Sequence, residues 1–238
     1  MKRPAYYAPV GSLSGDLIAL LHPPYTAWHL SHVAIGAALA PRIDWPVLAA
    51  TLVAFFIGTG VAAHAIDEMN GRPLHTALSD RSLTLLAVGG LIGSLVIAVV
   101  GAVRLSPWVL AWAGIGVLLA AGYGLEKPAA LHTSLGFALA WGGFPVLVGF
   151  WGQTGTITIG AIVVAGAATL ISMVQRTLST PARHLRRNTD KAEMTLFRGE
   201  SEDTWDEEKI LATWERPLRL LAWFMVALAI GMLMTKLW

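Results

Sequence analysis

Long apolar runs, separated by short polar turns, leave this chain few ways to fold. An α-helix needs roughly 20 apolar residues to cross a bilayer. Inside lipid only helices and closed barrels satisfy their own backbone groups. Seven runs of suitable length lie near residues 25–40, 47–66, 82–103, 108–124, 132–151, 157–174 and 220–237. The expected fold class is therefore all-α, a polytopic transmembrane helix bundle of about seven spans, with residues 1–238 forming a single integral membrane domain. Only 13% of the 238 residues are charged, where a soluble domain carries roughly 25%. There is no cysteine, which removes disulfides, Cys-ligated zinc, iron–sulfur clusters and thiol catalysis. Met1-Lys2-Arg3 has no apolar core directly behind it, so it does not read as a cleaved signal peptide.

Charge fixes the expected orientation. If successive spans alternate, 14 of the 17 Lys and Arg residues fall on one side, leaving Arg42, Arg104 and Lys236 on the other. The positive-inside rule then assigns the N-terminus to the cytoplasm. The expected location is a bacterial or archaeal cytoplasmic membrane. Residues 175–219 read as a cytoplasmic loop with an acidic segment at 188–215, a candidate surface for a protein partner or a solvated cap. Within it, residues 203–214 are expected to form a helix with Ile210, Leu211 and Trp214 on one side. Gly89-x-x-x-Gly93 in the third run has the small-residue spacing of close helix contact.

The densest chemistry lies where the second run meets its polar turn, in His64-Ala-Ile-Asp67-Glu68, followed by Gly71-Arg72-Pro73. If the helix continues to Glu68, His64, Asp67 and Glu68 share a face. They can act as a cation site or as general acids and bases. Alternatively they form a polar helix end, with Asp67 paired to Arg72 or Arg81. Gly71 and Pro73 should stop the helix. A second polar corner carries Tyr123, Glu126 and Lys127, and a third carries Arg176, Arg183, His184, Arg186 and Arg187. Arginine forks bind phosphate directly; they also serve as ordinary headgroup contacts. His29 and His32 share a helix face, either as metal or haem ligands with His64 and His132, or as hydrogen-bonded residues between helices. No Gly-rich phosphate loop, nucleophile elbow or nucleic-acid-binding pattern occurs.

Three pieces together resemble the UbiA superfamily of intramembrane prenyltransferases. Pro23-Pro-Tyr-Thr-Ala-Trp28 resembles the family's opening Arg-Pro-x-x-x-Trp region. His64-Ala-Ile-Asp-Glu68 with Arg72-Pro-Leu74 is similar to its Asn-Asp-x-x-Asp motif and the Arg-Pro-Leu behind it. Tyr123-Gly-Leu-Glu-Lys-Pro128, with Gly136 and Trp141-Gly-Gly-Phe-Pro145, is similar to its Tyr-x-x-x-Lys-Arg corner and following helix. The resemblance implies helices around a lipid-open cavity, with His64, Asp67 and Glu68 as catalytic residues. It implies Mg2+ held by Asp67 and Glu68, and substrate binding by Arg72, Tyr123, Lys127, Arg176 and Arg183. The implied function is a transferase-type enzyme acting on a prenyl (isoprenoid) diphosphate lipid. The alternative is a non-catalytic lipid- or quinone-binding subunit or scaffold. A third reading is a histidine-ligated metal protein. The chain departs from the family pattern at three points. His64 stands where the family has Asn, the second Asp-rich run is missing after the sixth span, and the family has nine spans.

Overall fold

The computed structural model describes residues 4–7 and 12–237 and is mostly helical. Lys2 and Arg3, counted on the basic side above, lie outside the described residues. A short helix α1 (Leu13–Leu20) precedes α2 (Pro23–Ala38). Next come α3 (Trp45–Met69), α4 (Asp80–Arg104), α5 (Trp108–Gly124), α6 (Ser134–Thr154) and α7 (Ile159–Asn188). A hairpin of β1 (Met194–Arg198) and β2 (Ser201–Trp205) leads into α8 (Glu207–Met234). Each of the seven apolar runs lies on one of α2 to α8. Five of these helices, α3, α4, α6, α7 and α8, are long and apolar enough to cross a membrane. Apolar side chains such as Val88, Ile92 and Val99 on α4 and Trp223 and Phe224 on α8 are exposed. That outward apolar face suits lipid as solvent.

Side-chain caps set where several helices start. Asp44 accepts from Val47 N, Ser79 from Ser82 N, Thr158 from Ala161 N and Asp206 from Lys209 N. Each satisfies a backbone donor that the first helical turn leaves open.

The sixteen residues of α2 give about 24 Å of helix. It is the core of the bundle, buried from Trp28 almost without a break to Ala38. Gly36 and Gly149 bring α2 and α6 into backbone contact. A Cβ on Gly36 would sit 2.1 Å from Val146 O, and one on Gly149 would sit 2.1 Å from Val33 O. On another side, Trp28, Ala34 and Ile35 pack with Met225 and Ala229 of α8.

Two helices widen partway along. α3 is π-helical over Phe56–Ala63, and α6 over Leu139–Gly143. Proline within a helix tends to kink it, and the stretch leading into Pro145 is instead a wide turn: the helix absorbs the missing proline donor by shifting its ladder and then continues.

Two details differ from expectation. At the α3–α4 contact a Cβ on Gly90 would sit 2.6 Å from Ile57 O and one on Gly93 would sit 2.9 Å from Ile57 Cδ1, while one on Gly89 would meet nothing within 4 Å. Of the expected pair Gly93 faces α3, while Gly90 takes the place of Gly89 at the contact. Residues 175–219 are not an open loop either. Helix α7 runs on to Asn188 through Pro181, and α8 begins at Glu207 and passes through Pro217. Ala182 and Leu185 of α7 bury Ile210 and Leu211 of α8, with Trp205 and Trp214 packed alongside. The expected buried side of the 203–214 helix is present, but residues 203–205 belong to the hairpin. Arg186 forms a two-pronged ion pair with Glu215, Nη2 to Oε2 being 2.8 Å, and locks the two extensions together.

Gly149→Ala should therefore lower stability by about 3 kcal/mol, because the methyl meets backbone that cannot move aside. Gly166→Ala, with nothing within 4 Å, should leave it unchanged or slightly raised. Reversible unfolding of both variants in detergent checks this.

Candidate functional site

The polar end of the bundle gathers the ends of α3, α5 and α7 and the start of α2. Helix α3 reaches Met69, past Glu68, as the shared-face reading required. Its three polar side chains nevertheless take separate tasks. His64 Nδ1 hydrogen-bonds Gly60 O at 3.1 Å, inside the widened stretch. Its ring lies 4.3 Å from that of His22. Glu68 is 1% exposed and turns towards the following loop. Its Oε2 accepts from Leu74 N, and its Oε1 accepts from Thr76 N and Thr76 Oγ1, all at 2.9 Å. Asp67 is half-buried, within electrostatic reach of Arg187 and Arg183.

Glu68 is thus an internal anchor for residues 70–79. That loop needs one, since Arg72 (φ 52°) and His75 (φ 55°) both hold the left-handed conformation, which is costly for residues with a Cβ. Arg72 completes the clamp. Its Nη1 donates to Leu78 O at 2.6 Å, and its Nη2 pairs with Asp80 at the start of α4. The alternative pairing of Asp67 with Arg72 is therefore replaced by Arg72–Asp80, and Arg72 is committed to the loop.

The second and third corners meet at Arg176. Its Nη1 donates to Tyr123 Oη at 3.2 Å, its Nη2 donates to His132 O at 2.5 Å, and its guanidinium lies 4.9 Å from the centre of the Phe137 ring. Tyr123 stacks on His132 at 4.4 Å. The Asn70 amide donates to Gly124 O at 3.5 Å, bringing the first corner to the second. Lys127 is exposed at the rim.

The basic run at the end of α7 is sorted by helical period. Arg176, Arg183 and Arg187 recur at spacings of seven and four and face the polar end. Arg186 points away, to Glu215 of α8. His184 is exposed.

Two participants were not singled out from sequence: Tyr7 and His22. Tyr7 hydrogen-bonds His22 Nδ1 at 2.5 Å, and Tyr25 lies against both rings. Arg187 Nε donates to Pro4 O at 3.3 Å, holding the segment 4–7 over this cluster. His22 is buried and its Nε2 has no partner. Burial, then the neighbouring His64 and the charges of Arg187 and Arg183, hold its pKa well below 6.5. Burial likewise raises the Tyr7 hydroxyl well above 10. The only sequence signal for His22 is its place directly before Pro23-Pro24, which makes it the N-cap of α2 with a φ of 45°.

His29 and His32 are hydrogen-bonded within the packed helices. His29 Nδ1 contacts Trp141 O at 3.1 Å, a carbonyl of the wide α6 turn, and His32 Nδ1 contacts Trp28 O at 2.9 Å. Among the described residues, no group of three or more His, Asp or Glu side chains is placed to hold a metal ion. Asp67 is the open carboxylate of the expected Mg2+ pair; the oxygens of Glu68 are engaged in the loop. The expected apolar chamber exists, but elsewhere. A cavity of about 630 Å3 lies between α3, α4, α5 and α6, and Asp44 and Arg104 mark its mouth at the opposite end of the bundle. A packed layer of Ala63, Ala120, Phe137, Ala140 and Trp141 separates it from Tyr123 and the polar end.

Two outcomes follow. Glu68→Ala should lower stability by about 3 kcal/mol, because buried donors lose a charged acceptor. It should also release amide protection at Leu74 and Thr76, measurable by hydrogen exchange. The lowered pKa of His22 means that the unfolded chain binds a proton before the folded chain does. Its stabilising contribution is full above pH 6.5 and is lost as pH falls below that value towards the folded pKa. Melting curves between pH 5 and 8 should show this acid limb, and His22→Asn should make it shallower.

No protein-family model, curated protein or solved structure matches this chain.

Proposed function

We propose that the chain is a UbiA-like integral membrane protein of about seven spans, with its polar end in the cytoplasm, that binds an isoprenoid diphosphate lipid there without turning it over. The observation that carries this reading is that the half-buried Asp67 lies within electrostatic reach of Arg183 and Arg187, at the end of the bundle that holds the Tyr123–Arg176 lock. Two half-buried arginines four residues apart repel one another and favour an anion between them. Arginine matches phosphate geometry with paired donors. Metal-assisted transfer of a prenyl group needs acids to hold the cation that neutralises the leaving diphosphate. Glu68, Arg72 and Arg176 are occupied by the fold, which leaves Arg183, Lys127 and the terminal nitrogens of Arg187, whose Nε holds Pro4 O, for a headgroup. These are binding groups more than a metal set.

The transferase is the second reading, favoured by Asp67, a carboxylate at the same place that no loop bond consumes. One Mg2+ on Asp67 beside the arginines would neutralise a diphosphate.

Labelled farnesyl diphosphate and the purified chain distinguish the two. Binding should be saturable without Mg2+, weaken as salt rises, and fall about tenfold in Arg183→Ala and in Arg187→Ala. Lys236→Ala, at the other end, should leave it unchanged. Mg2+-dependent release of diphosphate that disappears in Asp67→Asn would establish the transferase. Absence of saturable binding in either condition would overturn both.

A further inference from the structure

The cavity at the opposite end makes a separate case, one that does not rest on the polar-end reading. Part of its wall is built of small and aliphatic groups, Gly58, Leu91, Ala113 and Gly116 among them. Phe144, Trp112 and Trp151 form a continuous aromatic wall, with ring centres 5.9 Å apart at each step. Two hydroxyls in the lining, Thr51 and Ser94, are bonded to backbone carbonyls. Thr51 Oγ1 donates to Val47 O at 2.8 Å and Ser94 Oγ to Ala54 O at 3.0 Å. The interior therefore offers an occupant apolar contact and almost no polar competition.

Size narrows the occupant. A methylene takes about as much room as a water molecule, roughly 30 Å3. A cavity of about 630 Å3 thus holds on the order of 20 such groups. That is room enough for one long alkyl chain. The mouth supplies the head. Arg104 is exposed there, and no hydrogen bond or ion pair engages its side chain among the described residues. The one carboxylate beside it in the lining, Asp44, caps α3 at Val47 N and does not pair with it. Lys236, a second cation at this end, donates to Ala40 O. Arg104 is thus a cation at the lip of an apolar cavity with no countercharge bound to it.

We propose that this cavity binds one single-chain amphiphile with an anionic head, of the long-chain carboxylate class. The chain runs inward past Trp112 towards Phe144 and Gly116, and the carboxylate pairs with Arg104. The match is one of charge and of size: a guanidinium favours a carboxylate through paired charge-assisted bonds, and a void of this volume accepts one tail.

The test uses the full chain in phosphatidylcholine nanodiscs and palmitate carrying a photoactivatable diazirine at its far end. Labelling should fall on peptides containing Leu91, Ala113 and Gly116 and be displaced by unlabelled palmitate. A Cβ on Gly116 would lie 3.7 Å from Phe144 Cε1, an ordinary contact, so Gly116→Ala should keep the labelling. Gly116→Leu fills the void and should reduce labelling about tenfold. Ala113→Phe, on the same wall, serves as a second blocking variant should the first not fold. In Arg104→Gln, palmitate should displace the label about fivefold less well, with hexadecanol unaffected. Three results overturn the proposal. The first is equal displacement by palmitate and hexadecanol in the unaltered chain, which would remove the head preference. The second is labelling of outward residues such as Val88 and Leu228 that palmitate does not displace, which means bulk lipid contact only. The third is undiminished labelling in both blocking variants.

Discussion

The backbone contact between α2 and α6 holds the rest of the molecule in place. With no side chain at Gly36 and Gly149, the two helices touch through Val146 and Val33 main chain. In a bilayer, apolar surface gains nothing by leaving lipid for protein, so close packing must supply the attraction between helices. The approach also brings His29 of α2 within reach of the Trp141 carbonyl on the wide turn of α6. Trp28 Nε1, on the same stretch of α2, donates to Ser172 Oγ of α7 at 3.2 Å. Helix α2 is thereby fixed against α6, α7 and α8, and His22 at its start is fixed with it.

The polar end divides its charged groups into two kinds. Glu68, Arg72, Arg176 and Arg186 are consumed by tying backbone and neighbouring helices. Asp67, Arg183 and Arg187 lie within electrostatic reach of one another, and of these Arg187 is tied to the backbone at Pro4 O. Burying a charge costs so much that the fold must answer it with a partner. Glu68, the most deeply buried of these, has three donors from its own loop. A deeply buried carboxylate with that many internal donors is a structural residue even when it sits inside a motif-like run.

The two ends of the bundle are built on different chemistry. One gathers histidines, tyrosines and arginines under the segment 4–7. The other opens an apolar cavity with a lone arginine at its lip. The packed layer around Trp141 and Ala120 keeps them apart. A ligand at one end therefore does not occupy the other.

The sequence alone determined the helices and the end at which the basic residues collect. Both are local properties: an apolar run of bilayer length must become a helix, and charge must stay out of hydrocarbon. It also located the three polar corners, after the second, fourth and sixth runs, and the alternation of helices put them on one side. What only the tertiary structure decided was the partner of each polar group. Asp67 and Glu68 are neighbours of similar chemistry, yet one faces arginines and the other folds a loop, because a helix turns about 100° between them. The same turn separates Arg186 from Arg187. His22 and Tyr7 gave almost no signal, since their contact joins segments with no shared period. The cavity lies at the end away from the motif-like residues, because a void is set by how four helices lean together, and no short stretch of sequence encodes that.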